Sequence, residues 1–452
     1  MSTLPQDLFE DEILANLPGA SAYDKWKASN SGPNGDYTNW AKYRDKVLAY
    51  KKGDQRPAEP AMATKNGKIL VASAKLHMSV TDIGSAIPPV LPTNYPPFRG
   101  PQVITQGGTY FDSWESNSST PCISIATTQP VILKGRVRNL SSDGYMIDAY
   151  HFTGAGVDVT VEDMQVFGGP TYQQSSRWFV AKDWVKVLIQ RCTIEGTRGI
   201  ELWPNSLLNS TCKITKCRHH NILGGATEAG LSHVGNFVQF REVLNTAIEV
   251  SWCEIENQYN LSEPEDIISI YHTNNVHMFD CMLWHHSQPG NAQPGSFGGI
   301  SIDGSDAAAV GCSNNIIERN QVVDGMGIVA FVQNAGSNNQ LLNNRVIADQ
   351  FIPGGALKRS GFSGLDITPG PGSGNHAHGN VVGYMGVDAN NWPGPGGFRS
   401  DGNLVGADEG DAAEWANNTH YSGTINAAAE AAEWASWLQK KINNGIVVGA
   451  PA

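Results

Sequence analysis

The chain has 452 residues with 49 Gly, 24 Pro and 40% hydrophobic residues, a composition of many turns around short strands that argues against a helical bundle. Its formal charge of −12, with no cluster of Lys and Arg to track a phosphate backbone, excludes nucleic acid as the expected partner, and no apolar run is long enough to suggest a membrane span. An acidic surface still admits an anionic polysaccharide, because a few cations inside a groove bind uronates despite the overall field.

In chain order, residues 1–60 form an expected helical N-terminal segment. Helical spacing covers 7–17 and 38–52, the second opening at Thr38-Asn39 and stopping before Gly53. The opening MSTLPQDLFEDEILANL lacks a basic region followed by an apolar run, so no secretory signal is expected. The compartment stays open between the cytosol, a virion and the extracellular space after signal removal. Residues 61–119 read as a lead-in and cap, Pro-rich from Ile87 to Pro101.

Residues 120–390 carry an internal repeat. VTVEDMQV, VKVLIQRCTI, CKITKCRH, IEVSWCEI, VHMFDCML, NNIIERNQVV, NNQLLNNRVI and NHAHGNVV align so that Met164, Cys192, Cys217, Cys253, Cys281, Asn320, Asn344 and Asn380 share one column. The spacings have a floor near 24 residues, with longer intervals where loops lengthen, as expected for coils whose strands are fixed and whose loops are free. Like residues on successive coils stack about 4.8 Å apart. A column changing from Cys to Asn suits a bend shared by every coil, and the seven Cys read as packed core rather than as a disulfide framework or zinc set.

Upstream of each ladder segment lies a second register, WFVAKD, GIELWP, FVQFRE, IISIYH, GISIDG, GIVAFV and GLDITP. Its period-two alternation points Phe179, Ala181, Ile200, Leu202, Val238, Phe240, Ile268, Ile270, Ile300, Ile302, Ile328, Ala330, Leu365 and Ile367 inward. Residues 391–452 are a C-terminal loop and helix. The helix opens at Asn426 and ends at Asn-Asn-Gly, and it either caps the solenoid or packs on a neighbouring chain. The expected fold is therefore all-β, a right-handed parallel β-helix solenoid with a helical N-terminal segment and a C-terminal capping helix.

The repeat period and ladders over about 120–390 resemble the right-handed parallel β-helix superfamily, which includes pectate-lyase-like enzymes and phage tailspike depolymerases. The resemblance implies a carbohydrate-active protein with a polysaccharide as its partner.

The alternate strand positions are expected to face solvent in two files. One runs Val180, Glu201, Gln239, Ser269, Ser301, Val329, Asp366; the other runs Lys182, Trp203, Arg241, Tyr271, Asp303, Phe331, Thr368. Aromatic faces that stack on sugar C–H surfaces, beside charges and amides, suit a glycan groove, with Glu201, Trp203, Gln239 and Phe331 as binding residues. A plain solvated face or a subunit contact, as in a homotrimer, uses similar residues.

Glycoside hydrolysis needs two carboxylates about 5 to 9.5 Å apart. Glu201 and Asp303 stand three coils apart, roughly 14 Å by coil spacing, whereas Asp303 with Asp306 in SIDGSD keeps a hydrolase open. β-Elimination from a uronate needs a cation for the carboxylate, a base for the C5 proton and an acid for the leaving oxygen. Arg241, Tyr271, His272 and Asp303 supply candidates on neighbouring coils, and Lys182 is a further candidate base. Glu263, Glu265 and Asp266 in LSEPEDI offer hard oxygens for calcium, a cofactor that the resemblance to lyases also suggests. The alternative is a non-catalytic virion or tail-fibre-like protein that uses the same scaffold for receptor binding.

Overall fold

The computed structural model describes residues 64–65, 68–69, 95–139, 141, 144–150, 152, 156–168, 177–223, 225–226, 232–233, 235–257, 262, 264, 266–284, 299–304, 312–324, 328–331, 336–349, 364–368, 374–384 and 417–450. The expected N-terminal helices, Glu263, Glu265 and Asp306 lie outside these residues, as do the side chains of 328–331.

The chain winds as a parallel β-helix. Each coil contributes a strand to sheet 1, then one to sheet 2, then one to sheet 3, and pairs in parallel with the coils before and after it. Sheet 1 has ten strands, from Gln102–Ile104 to Leu365–Thr368. Sheets 2 and 3 are continuous in the first coils, where Val157–Phe167 pairs with both Trp184–Gln190 and Thr193–Glu195, and then separate at a bend. Parallel crossovers of this kind are right-handed in nearly all folds.

The alternation of sheet 1 has the expected phase. Phe179, Ala181, Ile200, Leu202, Val238, Phe240, Ile268, Ile270, Ile302 and Leu365 are fully buried, and Ile300 nearly so.

The Cys-to-Asn column sits at the bend between sheets 2 and 3. The Cys281 N–H donates to Asn320 Oδ1 at 3.0 Å, Asn320 N–H to Asn344 Oδ1 at 3.0 Å, and Asn344 N–H to Asn380 Oδ1 at 2.8 Å. The ladder runs one coil further than the repeat suggested, to Asn418. Each amide also reaches into the coil, as when Asn344 Nδ2 donates to the Ile317 carbonyl at 2.8 Å. Buried backbone groups at the corner are thus satisfied without water.

The residue before each ladder member from Met164 to Asn380 is left-handed: Asp163, Arg191, Lys216, Trp252, Asp280, Arg319 and Asn343 have φ between 50° and 57°, and Gly379 completes the file at 68°. Such a backbone costs a non-glycine residue about 1–3 kcal/mol, which the ladder bonds offset. A second buried ladder, Asn315, Asn339 and Asn375, repeats the device where sheet 1 turns into sheet 2.

The C-terminal helix Ala427–Asn443 is capped by Asn426, whose side chain accepts the Ala429 N–H at 3.0 Å. It caps the flank of the solenoid, lying on the outer face of sheet 3. Trp434 and Trp437 pack with Met282, Trp284 and Val323. Glu433 pairs with Arg345 at 2.6 Å, Lys440 with Asp280 at 2.6 Å and Lys441 with Glu254 at 2.7 Å. The tail continues until the Gly449 N–H reaches the Lys216 carbonyl and the Ala450 N–H reaches Thr193 Oγ1, both at 2.8 Å. At the opposite end the Pro-rich lead-in docks Phe98 beneath the Arg136 and Arg138 guanidiniums, 4.7 and 3.9 Å from its ring centre.

Candidate functional site

Strand pairing in sheet 1 places both proposed outer files in register. Glu201 pairs with Gln239, Gln239 with Ser269 and Ser269 with Ser301. In the neighbouring file Arg241 pairs with Tyr271, Tyr271 with Asp303, and Asp303 with the backbone of Phe331.

The two files differ in environment, which corrects the expectation that both face solvent. Val180 is fully buried, and Glu201, Ser269 and Ser301 are nearly so. Glu201 is held by Arg177 at 2.7 Å, and Arg177 Nη2 also donates to Gln239 Oε1 at 3.2 Å. Beside them the Tyr145 phenol is raised above its ordinary range, first by burial and then by the Glu201 charge. The Glu201–Gln239 file is therefore a buried polar layer, and Glu201 is committed to an ion pair rather than open to a ligand. Asp266, from the expected calcium set, is 5% exposed, and its backbone carbonyl accepts from Asn236 Nδ2. Among the described residues no group of three or more His, Cys, Asp or Glu side chains is arranged to hold a metal ion.

The Lys182–Asp303 file is half-buried and presents a continuous run of aromatic and charged groups. The Arg241 guanidinium lies 4.6 Å from the Trp203 ring centre and 6.0 Å from that of Tyr271. This places the cation between an aromatic ring on the coil before and another on the coil after. Tyr271 in turn stacks on His272, with ring centres 4.1 Å apart and planes 27° from parallel. His272 itself is at a left-handed corner, φ 47°, is 8% exposed, and has Nε2 without a hydrogen-bond partner among the described residues. The His272 N–H donates to the Asp303 carbonyl at 2.9 Å and so ties the corner to the next coil.

Arg241, Tyr271, His272 and Asp303 are thus brought together as expected. Lys182 is not: it stands two coils from Arg241, with its ammonium 5.6 Å from the Tyr150 ring centre. Tyr150 was missed, although it extends the same file by one coil, because Ala149 pairs with Ala181, and it meets Trp203 edge-on at 5.4 Å. The signal was present in YMIDAY, which aligns with WFVAK two residues at a time. Arg177 was missed because nothing in its strand marks it as the partner of Glu201 on the following coil.

No family model matches the chain, and no curated protein matches it. Among solved structures the chain is similar to one described as a mannuronic acid specific polysaccharide family 6 lyase enzyme from human gut microbiota. The two share 12% identity over 78% of this chain and 91% of that one, with a TM-score of 0.36. The assignment of this chain as a parallel β-helix rests on its own strand pairing.

Proposed function

We propose that the protein binds an acidic polysaccharide along the Tyr150–Asp303 file and depolymerises it by β-elimination. The observation that carries this reading is the Arg241 guanidinium held between Trp203 and Tyr271 on a half-buried file of aromatic and charged groups. An arginine fixed in this way offers its planar fork to a carboxylate, while the flanking rings take the sugar faces.

In the elimination, Arg241 neutralises the uronate carboxylate and so acidifies the C5 proton. A base removes that proton, its electrons form the C4–C5 double bond, and the C4–O4 bond breaks as the leaving oxygen takes a proton. Tyr271, one coil from Arg241, is the proton-moving group placed to serve this bond, with His272 stacked on its ring and Asp303 one coil beyond. Lys182 anchors a more distant carboxylate, because its separation from Arg241 removes it from the same bond.

One observation favours a second, binding-only reading. Asp303 is the single carboxylate in the file among the described residues, so the file holds no described carboxylate pair for hydrolysis. A receptor-binding protein on the same scaffold needs only Arg241 and the rings. Incubation with a panel of polyuronates, followed by ultraviolet absorbance of unsaturated ends, separates the two. The lyase gives rising absorbance that Tyr271→Phe abolishes, whereas a binding protein gives none but still loses at least tenfold affinity in Arg241→Ala. Wild-type affinity in Arg241→Ala would overturn both.

A further inference from the structure

We infer that a pocket beside the Arg241 file is a subsite for an uncharged sugar residue, so that the polymer bound is a mixed one in which neutral and acidic residues neighbour each other. This rests on the proposed glycan groove and adds the class of polymer to it.

The pocket, about 340 Å³, is lined by Leu208, Asn209, Leu244, Asn245, Thr246, Ala247 and Asn275. These residues sit on the three coils that carry Trp203, Arg241 and Tyr271, just where sheet 1 turns into sheet 2. Leu244 is three residues from Arg241, a chain reach of at most about 11 Å. The pocket is therefore near enough to Arg241 for a neighbouring residue of an oligosaccharide held there to reach it.

Its chemistry is the reverse of the file's. No lining residue carries a charge, so no cation there neutralises a carboxylate. Leu208 is 74% exposed, a large aliphatic side chain held out at a turn, while Leu244 and Ala247 add apolar wall beside it. The Asn209, Asn245 and Asn275 amides are exposed and offer both donors and acceptors. Asn209 and Asn275 are fixed in left-handed turns, φ 59° and 61°, and Thr246 is anchored through a 2.6 Å hydroxyl bond to Ser210. Uncharged amides beside aliphatic walls suit the hydroxyls or acetamido group of a neutral hexose better than they suit a uronate.

The test uses the full-length protein on an immobilised panel of homopolymers (polygalacturonate, polymannuronate, polyguluronate) and mixed polymers (hyaluronan, unsulfated chondroitin, xanthan). Leu208→Ala and Asn245→Asp both alter exposed positions, and circular dichroism confirms that each stays folded. At least one mixed polymer is expected to bind more tightly than every homopolymer. Each variant is expected to weaken that mixed polymer at least fivefold and to leave homopolymer binding within twofold. Homopolymers binding at least as tightly as every mixed polymer, or variants acting equally on both classes or on neither, overturn the pocket while leaving the groove intact. Absence of binding to any member, or binding indifferent to Arg241→Ala, overturns the groove and the pocket with it.

Discussion

Glu254 is, with Asp280, a carboxylate through which the C-terminal helix is tied to the solenoid, and its replacement by Gln gives a signed pH effect. Its side chain is 4% exposed and contacts Arg218 and Lys441, each at 2.7 Å. Burial alone would raise its pKa, but the Arg218 and Lys441 charges override this and hold it at about 2, against an ordinary 4.5. Because the folded value is the lower one, the contribution is fully present above the unfolded pKa and disappears as pH falls from about 4.5 towards 2. A displacement of this size is worth on the order of 3 kcal/mol. At pH 7, Glu254→Gln loses that contribution and leaves two cations uncompensated. The cluster of Trp284, Trp434 and Trp437 at the helix interface reports docking by fluorescence during urea titration. Wild type and variant should differ by about 3 kcal/mol at pH 7, with the gap closing as pH drops to 2. A gap that is constant across that window would refute the linkage, since a carboxylate that never changes its pairing cannot produce pH dependence.

Three further outcomes follow from the fold. Trp437→Ala empties a fully buried site under the helix and should cost about 3–5 kcal/mol, read as a lowered urea midpoint of the tryptophan signal. Asn344→Ala removes the acceptor for the Asn320 N–H and Nδ2 and exposes the Ile317 carbonyl to an apolar neighbour. With about 1–3 kcal/mol per orphaned group, it should lower the midpoint more than an exposed Asn314→Ala one corner away. The seven Cys are free and buried, and burial pushes the Cys122 and Cys312 thiols up to about 12. None should react with a thiol reagent at pH 8 until denaturant is added.

The parts of the fold that repeat by residue type were legible in the sequence. The Cys-to-Asn column stood out because stacking demands like residues, and the inward file stood out because a half-buried strand alternates. The left-handed file one position earlier was invisible: Asp, Arg, Lys, Trp and Asn all occupy it, since the bend fixes backbone geometry and leaves the side chain free to vary. The second ladder could have been found, because Asn315 and Asn339 each follow another Asn in the repeat. For the site, period two gave the register of Arg241, Tyr271 and Asp303 correctly. It could not show that Glu201 is buried against Arg177, because that pairing is made between coils by a residue outside the alternation. The two-coil separation of Lys182 from Arg241 is likewise set by counting coils rather than by side-chain type.

The path of the C-terminal segment has a consequence for how the molecule comes apart. In an ordinary solenoid each repeat leans only on its neighbours, so unfolding begins at an end and travels inward one repeat at a time. Here one segment touches Arg345, Gln321, Asp280, Glu254, Lys216 and Thr193 in turn, and so binds distant repeats into a shared fate. No repeat within that span can loosen without straining the contacts of the others. Loss of this part of the molecule should therefore be abrupt and collective, and deleting residues 427–450 should restore gradual fraying.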